Sequence, residues 1–458
     1  MSLETAVLEI HGGQPLNGAV AISGAKNAIL PLMAATVLTD KPVVFSNVPQ
    51  ISDVVFMKKL LASHGVSVDI DQNRITATNP RPIPDDPTIS GKFRASVLLL
   101  GPLLARLGHA RIYLSGGDDI DSQGRPVDFH VTNLESLGAT VSPPIRASLA
   151  EPPYIEAFAP SGLTAPRQPL VLAKVSVGAT QNTIMAACVA SGTTTIKNAS
   201  IEPETLDLIK LLKSMGAEIE VDKTQRKIKV TGKDIATFNR RTISHTVIPD
   251  RIVAGTYAIA AVITGGNIEL QMGNFPDKTI LDLQEAEFWR LLAAGVDITR
   301  TRNGIRVSRK RNPSTGQLVP IKPVRVVTRP YPGFPTDLHP QWAALMCFAN
   351  GQSWIDETIF DKRFNYVEQL QEMGAAINRD QSNRKRVNVV GNAQLTRSLQ
   401  PTVTVEAGDI RAGAALILAA HARNGITKIK GLHHVERGYE DFVNKFTSCG
   451  SRNRMFFE

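Results

Sequence analysis

Cysteine is scarce in this chain, and the short motifs that bind common cofactors are missing. The 458 residues include three cysteines, Cys188, Cys347 and Cys449, which lie far apart and form no CxxC or paired histidine spacing. We therefore expect reduced thiols, with neither a structural zinc site nor a disulfide framework. A Walker-type phosphate loop and a strand-linked GxGxxG turn are absent as well. The sequence thus predicts a protein that works without a metal or an organic cofactor.

Long apolar runs are also missing. The stretch 95–107 is interrupted by Gly101, Pro102 and Arg106, and the stretch 412–420 is too short to span a bilayer. The first residues lack the cationic and apolar regions of a signal peptide. We therefore expect a cytoplasmic protein with no membrane partner.

The charge balance is basic. Lysine and arginine exceed aspartate and glutamate by 51 to 42, which gives a formal net charge of +9. Such an excess suits nucleic acid, a membrane surface or a small anionic substrate. The densest basic runs, 309–311 and 384–386, lie in turn-like stretches with few aromatic residues, and most other basic residues are scattered. The pattern indicates solvated hairpins and favours a small anionic substrate over nucleic acid.

Six segments with a helical apolar pattern end in the same way, at a glycine followed by a short alternating stretch. Successive glycines are separated by 73, 78, 79, 79 and 76 residues, so six units of similar length cover nearly the whole chain. Such constant spacing is typical of repeat architectures, and the chain length favours three units in each of two domains. Similar helix ends occur in any α/β protein, which is the alternative explanation. The glycines are Gly65, Gly138, Gly216, Gly295, Gly374 and Gly450.

The first unit illustrates the structure predicted for each repeat. Leucines at 60–61 fall on one apolar helix face, and Gly65 supplies a left-handed helix end. Val66, Val68 and Ile70 then alternate as a half-buried strand. Each unit must bury its helix against its neighbours.

Cations begin predicted helices at three places. Lys26 and Asn27 follow a glycine turn and precede an apolar run, and Arg94 and Arg411 occupy similar positions in other units. A positive charge at a helix N-terminus opposes the helix dipole, so stability does not explain these placements. Free backbone N–H groups together with Lys or Arg form a cradle for phosphate or carboxylate. A surface salt bridge is the alternative for any one of them, but the three together predict an anion-binding site.

Several segments, taken in order, match a known enzyme family. From about Leu8 to Tyr439 the chain resembles the enolpyruvyl transferases, which include 5-enolpyruvylshikimate-3-phosphate synthase, and especially their UDP-N-acetylglucosamine 1-carboxyvinyltransferase branch. The matching segments are SGAKNAILPLMAATVLTDKPVVFSNVPQISDV, KVSVGAT, VIPDR, FPTD, KRF, DIRAGAAL and HHVERGYE.

The resemblance implies a two-domain α/β fold. Each domain would be an inside-out barrel of three repeated units, with buried helices inside and sheets outside, and the active site would lie in the cleft between the domains. One domain would span residues 25–248 and carry a mobile catalytic loop. The other would combine residues 1–24 with residues 249–458.

The resemblance also implies the reaction. The enolpyruvyl group of phosphoenolpyruvate would pass to the 3-hydroxyl of UDP-N-acetylglucosamine with release of phosphate, the first committed step of peptidoglycan synthesis. The acceptor hydroxyl must lose a proton and C3 of the donor must gain one. Asp337 matches the family carboxylate that takes the hydroxyl proton, and a helix N-cap is its structural alternative.

The substrate contacts follow from the same resemblance. Catalytic roles would fall to Lys26, Asp118, Asp337 and Arg411. Phosphoenolpyruvate would be held by Lys26, Arg94, Arg125, Arg411 and Arg437. The UDP-sugar would contact Asn27, Arg94, Arg125, Pro126, Val127, Asp128, Phe129, Lys174, Ser176, Val177, Gly178, Asp337, Ile359 and Arg363.

One loop departs from the family pattern. Relatives carry GGCxIGxRPVD, whose cysteine donates a proton, whereas this chain reads GGDDIDSQGRPVD from Gly116 to Asp128. Asp118 stands at the cysteine position, and the loop is two residues longer. An aspartic acid can donate this proton if the closed site, Asp119 and Asp121 raise its pKa above the ordinary value of about 3.9. Asp119 as the acid, or a purely structural loop, are the alternatives.

Other functions stay open at this point. A relative in specialised metabolism would transfer enolpyruvyl to another nucleotide such as UMP, and the altered loop and the extended stretch 272–292 would signal such a change. A binding-only relative would keep the uridine and anion sites without turnover, but the retained Lys26, Asp337 and three arginines argue against it. Nucleic-acid binding ranks third and predicts strongly salt-dependent retention on DNA.

The aspartate at position 118 predicts insensitivity to fosfomycin, which inactivates the family by alkylating the loop thiol. A carboxylate is a much weaker nucleophile toward the epoxide than a thiolate, so wild-type protein should show no adduct by intact-protein mass spectrometry. Asp118→Cys should introduce labelling at one site. Rapid stoichiometric labelling of the wild type would contradict this prediction.

Overall fold

The structure is a computed structural model of mixed α/β type. It describes residues 5–71, 74–78, 94–114, 127–145, 152–238, 242–273, 275, 290–391 and 401–457. The chain divides into two compact units. The central unit is the continuous segment Gly24–Ile248, and the terminal unit combines the segment ending at Ser23 with Pro249–Glu458.

Helices and strands are interspersed along the described chain. The terminal unit begins with β1 (Ala6–His11) and β2 (Asn17–Ala21). The central unit follows with α1 (Lys26–Ala35), β3 (Val43–Ser46), α2 (Ser52–Ser63), β4 (Ser67–Asp71), β5 (Arg74–Thr78), α3 (Leu100–Leu107), β6 (His109–Tyr113), α4 (Asp128–Ser136), β7 (Thr140–Val141), β8 (Tyr154–Phe158), β9 (Leu170–Val171), α5 (Val177–Ala187), β10 (Thr193–Lys197), α6 (Pro203–Ser214), β11 (Glu218–Asp222), β12 (Lys227–Thr231) and β13 (Ile243–Thr246). The terminal unit resumes with α7 (Arg251–Thr264), β14 (Asn267–Gln271), β15 (Val296–Thr301), β16 (Gly304–Arg309), β17 (Val326–Val327), α8 (His339–Cys347), β18 (Gly351–Asp356), α9 (Tyr366–Glu372), β19 (Ile377–Arg379), β20 (Arg386–Gly391), β21 (Thr402–Glu406), α10 (Ile410–Ala422), β22 (Ile426–Lys430), α11 (Leu432–Glu436), α12 (Phe442–Ser448) and β23 (Arg452–Phe457).

Within the described ranges, the strands of each unit form three sheets. In five of the six sheets, one outer strand runs parallel to its neighbour and the other two pairings are antiparallel. The sixth sheet, β6-β8-β7, shows two antiparallel pairings. The other orders are β2-β14-β16-β15, β17-β18-β20-β19 and β21-β22-β1-β23 in the terminal unit, and β13-β3-β5-β4 and β9-β10-β12-β11 in the central unit.

The two ends of the chain meet in one sheet of the terminal unit. Strand β1 lies between β22 and β23, so Leu8 pairs with Ile429 on one side and with Met455 on the other. Both pairings are antiparallel. The N-terminal segment therefore completes the sheet that the last part of the chain begins.

Three helices of the terminal unit contact one another and are buried on almost every face. They are α7, α8 and α10, whose residues are mostly apolar or small on every face, as expected of helices inside a core. Glycine lets neighbouring elements come close. A Cβ at Gly255 would lie 2.6 Å from Leu338 Cδ1, and one at Gly413 would lie 2.5 Å from Val435 Cγ2. None of the described helices combines the length and the apolar character that crossing a membrane would require.

The six periodic glycines adopt the left-handed conformation predicted for them. Their φ angles lie between 78° and 105°. After five of them the next backbone N–H bonds to the carbonyl five positions earlier, as Ala217 N does to Leu212 O at 2.9 Å. This is the Schellman arrangement, which satisfies the last carbonyls of a helix and turns the chain away from it.

The burial predicted for the first unit is confirmed at every position but one. The leucines at 60–61, Val66 and Val68 are buried, whereas Ile70 is 37% exposed. Strand β4 is the edge strand of its sheet, and Ile70 lies near its far end. The prediction that the buried alternation continues to Ile70 is wrong, because the edge strand runs beyond the core there.

Gly374 offers a direct test of the left-handed helix end, because a Cβ at this position would meet nothing within 4 Å. Its φ of 94° is nonetheless strained for a residue with a side chain. Gly374→Ala should lower the free energy of unfolding by about 1–2 kcal/mol in urea titrations. Gly374→Asn should cost less, since asparagine tolerates this conformation. Equal losses for the two variants would show that backbone conformation is not the cause.

Candidate functional site

Three of the predicted site residues meet in the terminal unit. Asp337 lies in a short 3-10 helix, Thr336–Leu338, directly before α8. Arg363 Nη1 donates to Asp337 Oδ1 at 2.7 Å, and Arg411 Nη2 donates to Asp337 Oδ2 at 2.9 Å. The arginines are 4% and 5% exposed, while the aspartate side chain is 20% exposed. The two arginines thus bind both carboxylate oxygens, and the side chain of Asp337 is still partly exposed.

Asp337 does not act as a helix N-cap. The helix that follows begins at His339, Leu338 occupies its N-cap position, and no side chain makes the capping hydrogen bond. The capping explanation is therefore wrong, because the aspartate carboxylate pairs with the arginines instead.

Arg411 is held at the N-terminus of a buried helix, as predicted. Asp409 caps α10, and its Oδ1 accepts a hydrogen bond from Arg411 N at 2.7 Å. The negative cap offsets the unfavourable position of a cation at this helix end. The guanidinium also lies over the ring of Tyr439, with 5.4 Å from Cζ to the ring centroid. Burial alone would lower the pKa of Arg411, but the charge of Asp337 raises it above its ordinary value, so the cation stays charged.

Two guanidinium nitrogens in this cluster lack a hydrogen-bond acceptor. They are Arg363 Nε and Arg411 Nη1, both buried. Buried polar groups are normally satisfied, so unfilled donors of this kind require an explanation. Arginine donors are suited to carboxylate and phosphate oxygens. The cluster around Asp337 is therefore able to accept an anionic ligand.

A second carboxylate, which the sequence analysis did not single out, lies behind Asp337. Glu357 is fully buried and accepts hydrogen bonds from five donors. Burial alone would raise the pKa of Glu357, but the bonds from His339 and the backbone, with the charge of Arg363, lower it to about 2. The donors are Thr328 Oγ1 at 2.9 Å, Ile359 N at 2.7 Å and Phe360 N at 3.0 Å to Oε1, and Thr336 Oγ1 at 2.7 Å and His339 Nδ1 at 3.1 Å to Oε2.

His339 extends this network and is neutral. Its side chain is fully buried, which lowers its pKa against the opposing effect of Glu357. Nδ1–H then donates to Glu357, and Nε2 accepts from Tyr366 OH at 2.8 Å. Burial raises the pKa of Tyr366 well above its ordinary value, so the hydroxyl keeps its proton. No pattern in the sequence separates Glu357 from a solvated acid, and His339 is marked only by its place beside Asp337.

In the central unit, the predicted cations also begin helices. Lys26 starts α1, and its Nζ lies 2.6 Å from Asp53 Oδ2, a partner that the sequence analysis missed. The two side chains are 12% and 4% exposed. Asn27 is exposed beside Lys26. Arg94 begins a 3-10 segment, Arg94–Leu99, that continues into α3.

The two segments expected to bind the nucleotide both begin helices. Helix α4 starts at Asp128, which is exposed, between half-buried Val127 and Phe129. Helix α5 starts at Val177, after the N-cap residue Ser176, whose side chain accepts from Ala179 N at 3.4 Å. A helix N-terminus of this kind presents free N–H groups to an anion.

The starts of these two helices lie against each other through His130. A Cβ at Gly178 would lie 3.3 Å from His130 Cε1 and Nε2, so the imidazole packs on the first turn of α5. Asn182 Nδ2 donates to His130 Nδ1 at 2.8 Å. Burial and then the charge of Arg94 lower the pKa of His130 to about 4, so the ring is neutral at neutral pH. His130 and Asn182 were not predicted as site residues.

The remaining predicted residues are more scattered. Lys174 is exposed before α5. Ile359 lies beside Glu357, and Arg437 is the half-buried residue that ends α11. Asp118, Arg125 and Pro126 lie outside the described residues, as do Asp119 and Asp121.

The three cysteines are poorly placed to act as nucleophiles. All three are buried and free of disulfide bonds. Burial raises the pKa of Cys188 and Cys347 to about 12 and also raises that of Cys449, so none supplies a thiolate near neutral pH. In the part of the chain that the structure describes, no group of three or more His, Cys, Asp or Glu side chains could hold a metal ion.

The low pKa of Glu357 makes the stability of its network depend on pH. The pKa is about 2 in the fold and 4.5 ordinarily, so the ionised group stabilises the fold above pH 4.5 and loses this effect as pH falls toward 2. Glu357→Gln should therefore cost about 3 kcal/mol of unfolding free energy at pH 7. The difference from wild type should shrink below pH 4.5 in urea titrations. A difference that stays constant down to pH 3 would contradict this account.

Known proteins resemble this chain over nearly its whole length. The family model for EPSP synthase (3-phosphoshikimate 1-carboxyvinyltransferase) matches residues 10–446. The UDP-N-acetylglucosamine 1-carboxyvinyltransferases of Dinoroseobacter shibae and Ruegeria pomeroyi are 42% identical over 447 residues and 40% identical over 449 residues, covering 97% of each chain. The crystal structure of the enolpyruvyl transferase NikO from Streptomyces tendae has a similar fold, with a TM-score of 0.83 and 24% identity over 99% of both chains. The chain therefore belongs to the EPSP synthase family of enolpyruvyl transferases.

Proposed function

We propose that this enolpyruvyl transferase moves the enolpyruvyl group of phosphoenolpyruvate to the 3-hydroxyl of UDP-N-acetylglucosamine and releases phosphate. The observation that carries the proposal is Asp337, whose carboxylate is held between two buried guanidinium groups while its side chain remains 20% exposed. The names of full-length relatives at 40–42% identity support this acceptor. The reaction would be the first committed step of peptidoglycan synthesis.

Asp337 is the proposed base. Arg363 and Arg411 favour its ionised form, and its partly exposed side chain is proposed to accept the proton of the acceptor hydroxyl. The hydroxyl oxygen then bonds to C2 of phosphoenolpyruvate while C3 gains a proton. In the second step C3 loses a proton, the bond from C2 to the phosphate oxygen breaks, and the enol ether and phosphate are released.

Asp118 is the proposed acid that delivers the proton to C3. Its place in the sequence is that of the family cysteine, and the three cysteines of this chain are buried with raised pKa values. No thiol of this chain is therefore suited to the task. A carboxylic acid in the loop is the group that the sequence offers instead.

The cations are proposed to hold the donor. Phosphoenolpyruvate carries a phosphate and a carboxylate, and the unfilled donors Arg363 Nε and Arg411 Nη1 suit such oxygens. Arg411 is accordingly proposed to act on the donor from the terminal unit. The full proposed set for phosphoenolpyruvate is Lys26, Arg94, Arg125, Arg411 and Arg437.

The start of α5 is the proposed diphosphate site. Residues 176–178 bring a cap and free N–H groups together, and residues 127–129 lie at the start of α4, which contacts residue 178 through His130. We propose that the uridine and diphosphate bind along these two helix starts, with Lys174 nearby. Asn27, Arg94, Ile359 and Arg363 complete the proposed contacts to the sugar nucleotide.

The proposed architecture is two domains of three repeats each, residues 25–248 and residues 1–24 with 249–458, built as inside-out barrels with the active site in a cleft between them. Three sheets in each unit, the strand pairing shared by five of them and the six similar glycine turns support this arrangement. The buried trio α7, α8 and α10 supports helices on the inside. We propose a cytoplasmic location, because both substrates are phosphorylated metabolites that do not cross membranes unaided.

Phosphate release from phosphoenolpyruvate should require UDP-N-acetylglucosamine and should not occur with UMP. Asp337→Asn keeps the shape of the side chain but removes the base, so kcat should fall by about 10²–10⁴-fold in a coupled phosphate assay. Asp118→Asn should lower kcat as well.

Glu156→Gln is the matched control, because it removes a carboxylate whose partner, Arg111 at 2.6 Å, is not among the proposed site residues. It should retain the wild-type rate. Release with UMP alone would contradict the proposed acceptor, and release with neither acceptor would favour a binding-only protein.

A further inference from the structure

We propose that Glu357 is a positioning residue that orients Asp337 and Arg363 for proton transfer. The inference rests on the proposed function, since it concerns how the base is held. Glu357 itself has no free capacity for substrate. A carboxylate has roughly four lone-pair positions, and five donors already bind this one. Glu357 can therefore affect the reaction only through the groups that it holds.

Thr336 is the link between the two carboxylates. Its hydroxyl has one hydrogen, which it donates to Glu357 Oε2 at 2.7 Å. The hydroxyl oxygen therefore acts as an acceptor toward Arg363, whose Nη1 donates to Thr336 Oγ1 at 3.0 Å. The same Nη1 also donates to Asp337 Oδ1 at 2.7 Å. The direction of this chain of bonds is therefore set by the acceptor-only character of the Glu357 carboxylate.

Glu357 also joins the two segments that carry the pair. Its Oε2 binds the segment 336–339 on both sides of Asp337, and its Oε1 holds the backbone N–H groups of residues 359 and 360 in the turn that leads to Arg363. The Arg363 guanidinium lies over the ring of Phe360, with 4.9 Å from Cζ to the centroid. Both partners of the Asp337–Arg363 pair are thus anchored to one buried carboxylate.

His339 and Tyr366 hold Glu357 from the opposite side. The hydrogen-bond chain runs from Tyr366 OH to His339 Nε2 and from His339 Nδ1 to Glu357 Oε2. All three side chains are fully buried. A buried polar network that is fully satisfied is rigid, because a rotation of any one member would leave a polar group unpaired in a low-dielectric interior.

The expected consequence is kinetic. A displacement of about 1 Å at a catalytic group can cost on the order of 10²-fold in rate. Glu357→Gln keeps the size of the side chain, but its amide N–H would donate to Thr336 Oγ1 and turn the hydroxyl hydrogen toward Arg363. We expect kcat to fall by about 10–100-fold while KM for UDP-N-acetylglucosamine changes less than about 3-fold.

A double-mutant cycle through Thr336 tests the route. Thr336→Val removes the link and should lower kcat as Glu357→Gln does, whereas Thr336→Ser keeps the hydroxyl and should retain the wild-type rate. The combination of Glu357→Gln with Thr336→Val should fall little below either single variant, because both break one path. Additive losses would overturn the proposal. If Glu357→Gln does not fold, the two Thr336 variants still test the proposal. A lower kcat for Thr336→Val than for Thr336→Ser would support the proposal, and equal values would overturn it.

Thr328→Val is the matched control. Thr328 Oγ1 donates to Glu357 Oε1 at 2.9 Å, on the oxygen that faces away from Thr336. The variant removes a donor from the same buried carboxylate and should lower the melting temperature while leaving kcat within about 2-fold of wild type. A fall in kcat equal to that of Glu357→Gln would show that lost stability alone explains the effect, and would overturn the proposal.

A crystal structure of Glu357→Gln separates this proposal from the proposed function. Displacement of Arg363 Nη1 from Asp337 Oδ1, now 2.7 Å apart, would support the positioning role even if the wild type released no phosphate. An unchanged pair would overturn it. Failure of the wild type to turn over UDP-N-acetylglucosamine would instead contradict the proposed function alone.

Discussion

The interaction on which the rest of the site depends is the Asp337 carboxylate shared between two buried arginines. Burying two guanidinium groups is costly unless a charge partner and further hydrogen bonds compensate them. Asp337 partners both, and Thr336 adds a further acceptor for Arg363. Glu357 brings a second negative charge to the same region. The charges balance only when the segments around residues 337, 363 and 411 come together.

Several of the charged residues lie at the starts of buried helices. A cation that begins such a helix cannot reach solvent easily, and an acid lies close to two of them. Asp409 caps the helix that carries Arg411, and Asp53 pairs with Lys26. Small residues let the helices approach closely, and the left-handed glycines return the chain to the sheets after many of the intervening helices. The buried helices thus supply several starts at which anions can bind.

Different parts of the structure were predictable to different degrees. The glycine turns were predicted correctly because φ near 90° favours glycine and the interval repeats. The prediction of alternating burial was wrong at Ile70. An edge strand can extend beyond the core, and its last residues are then exposed. Glu357 could not be predicted, because a glutamate in a polar stretch has the same local signal whether it is solvated or buried with five donors. His130 and Asn182 were not predicted either, because their local sequence does not show that the two side chains are buried against each other.

The sequence by itself determined the spacing of the glycine turns, the helix starts that carry cations and the family to which the chain belongs, because these depend on residue type and spacing along the chain. Only the tertiary structure decided which charges meet. The pairing of Asp337 with Arg363 and Arg411, and the support of that pairing by Glu357, join segments distant in sequence. Hydrogen-bond direction and burial are properties of such three-dimensional neighbours, so no local pattern can encode them.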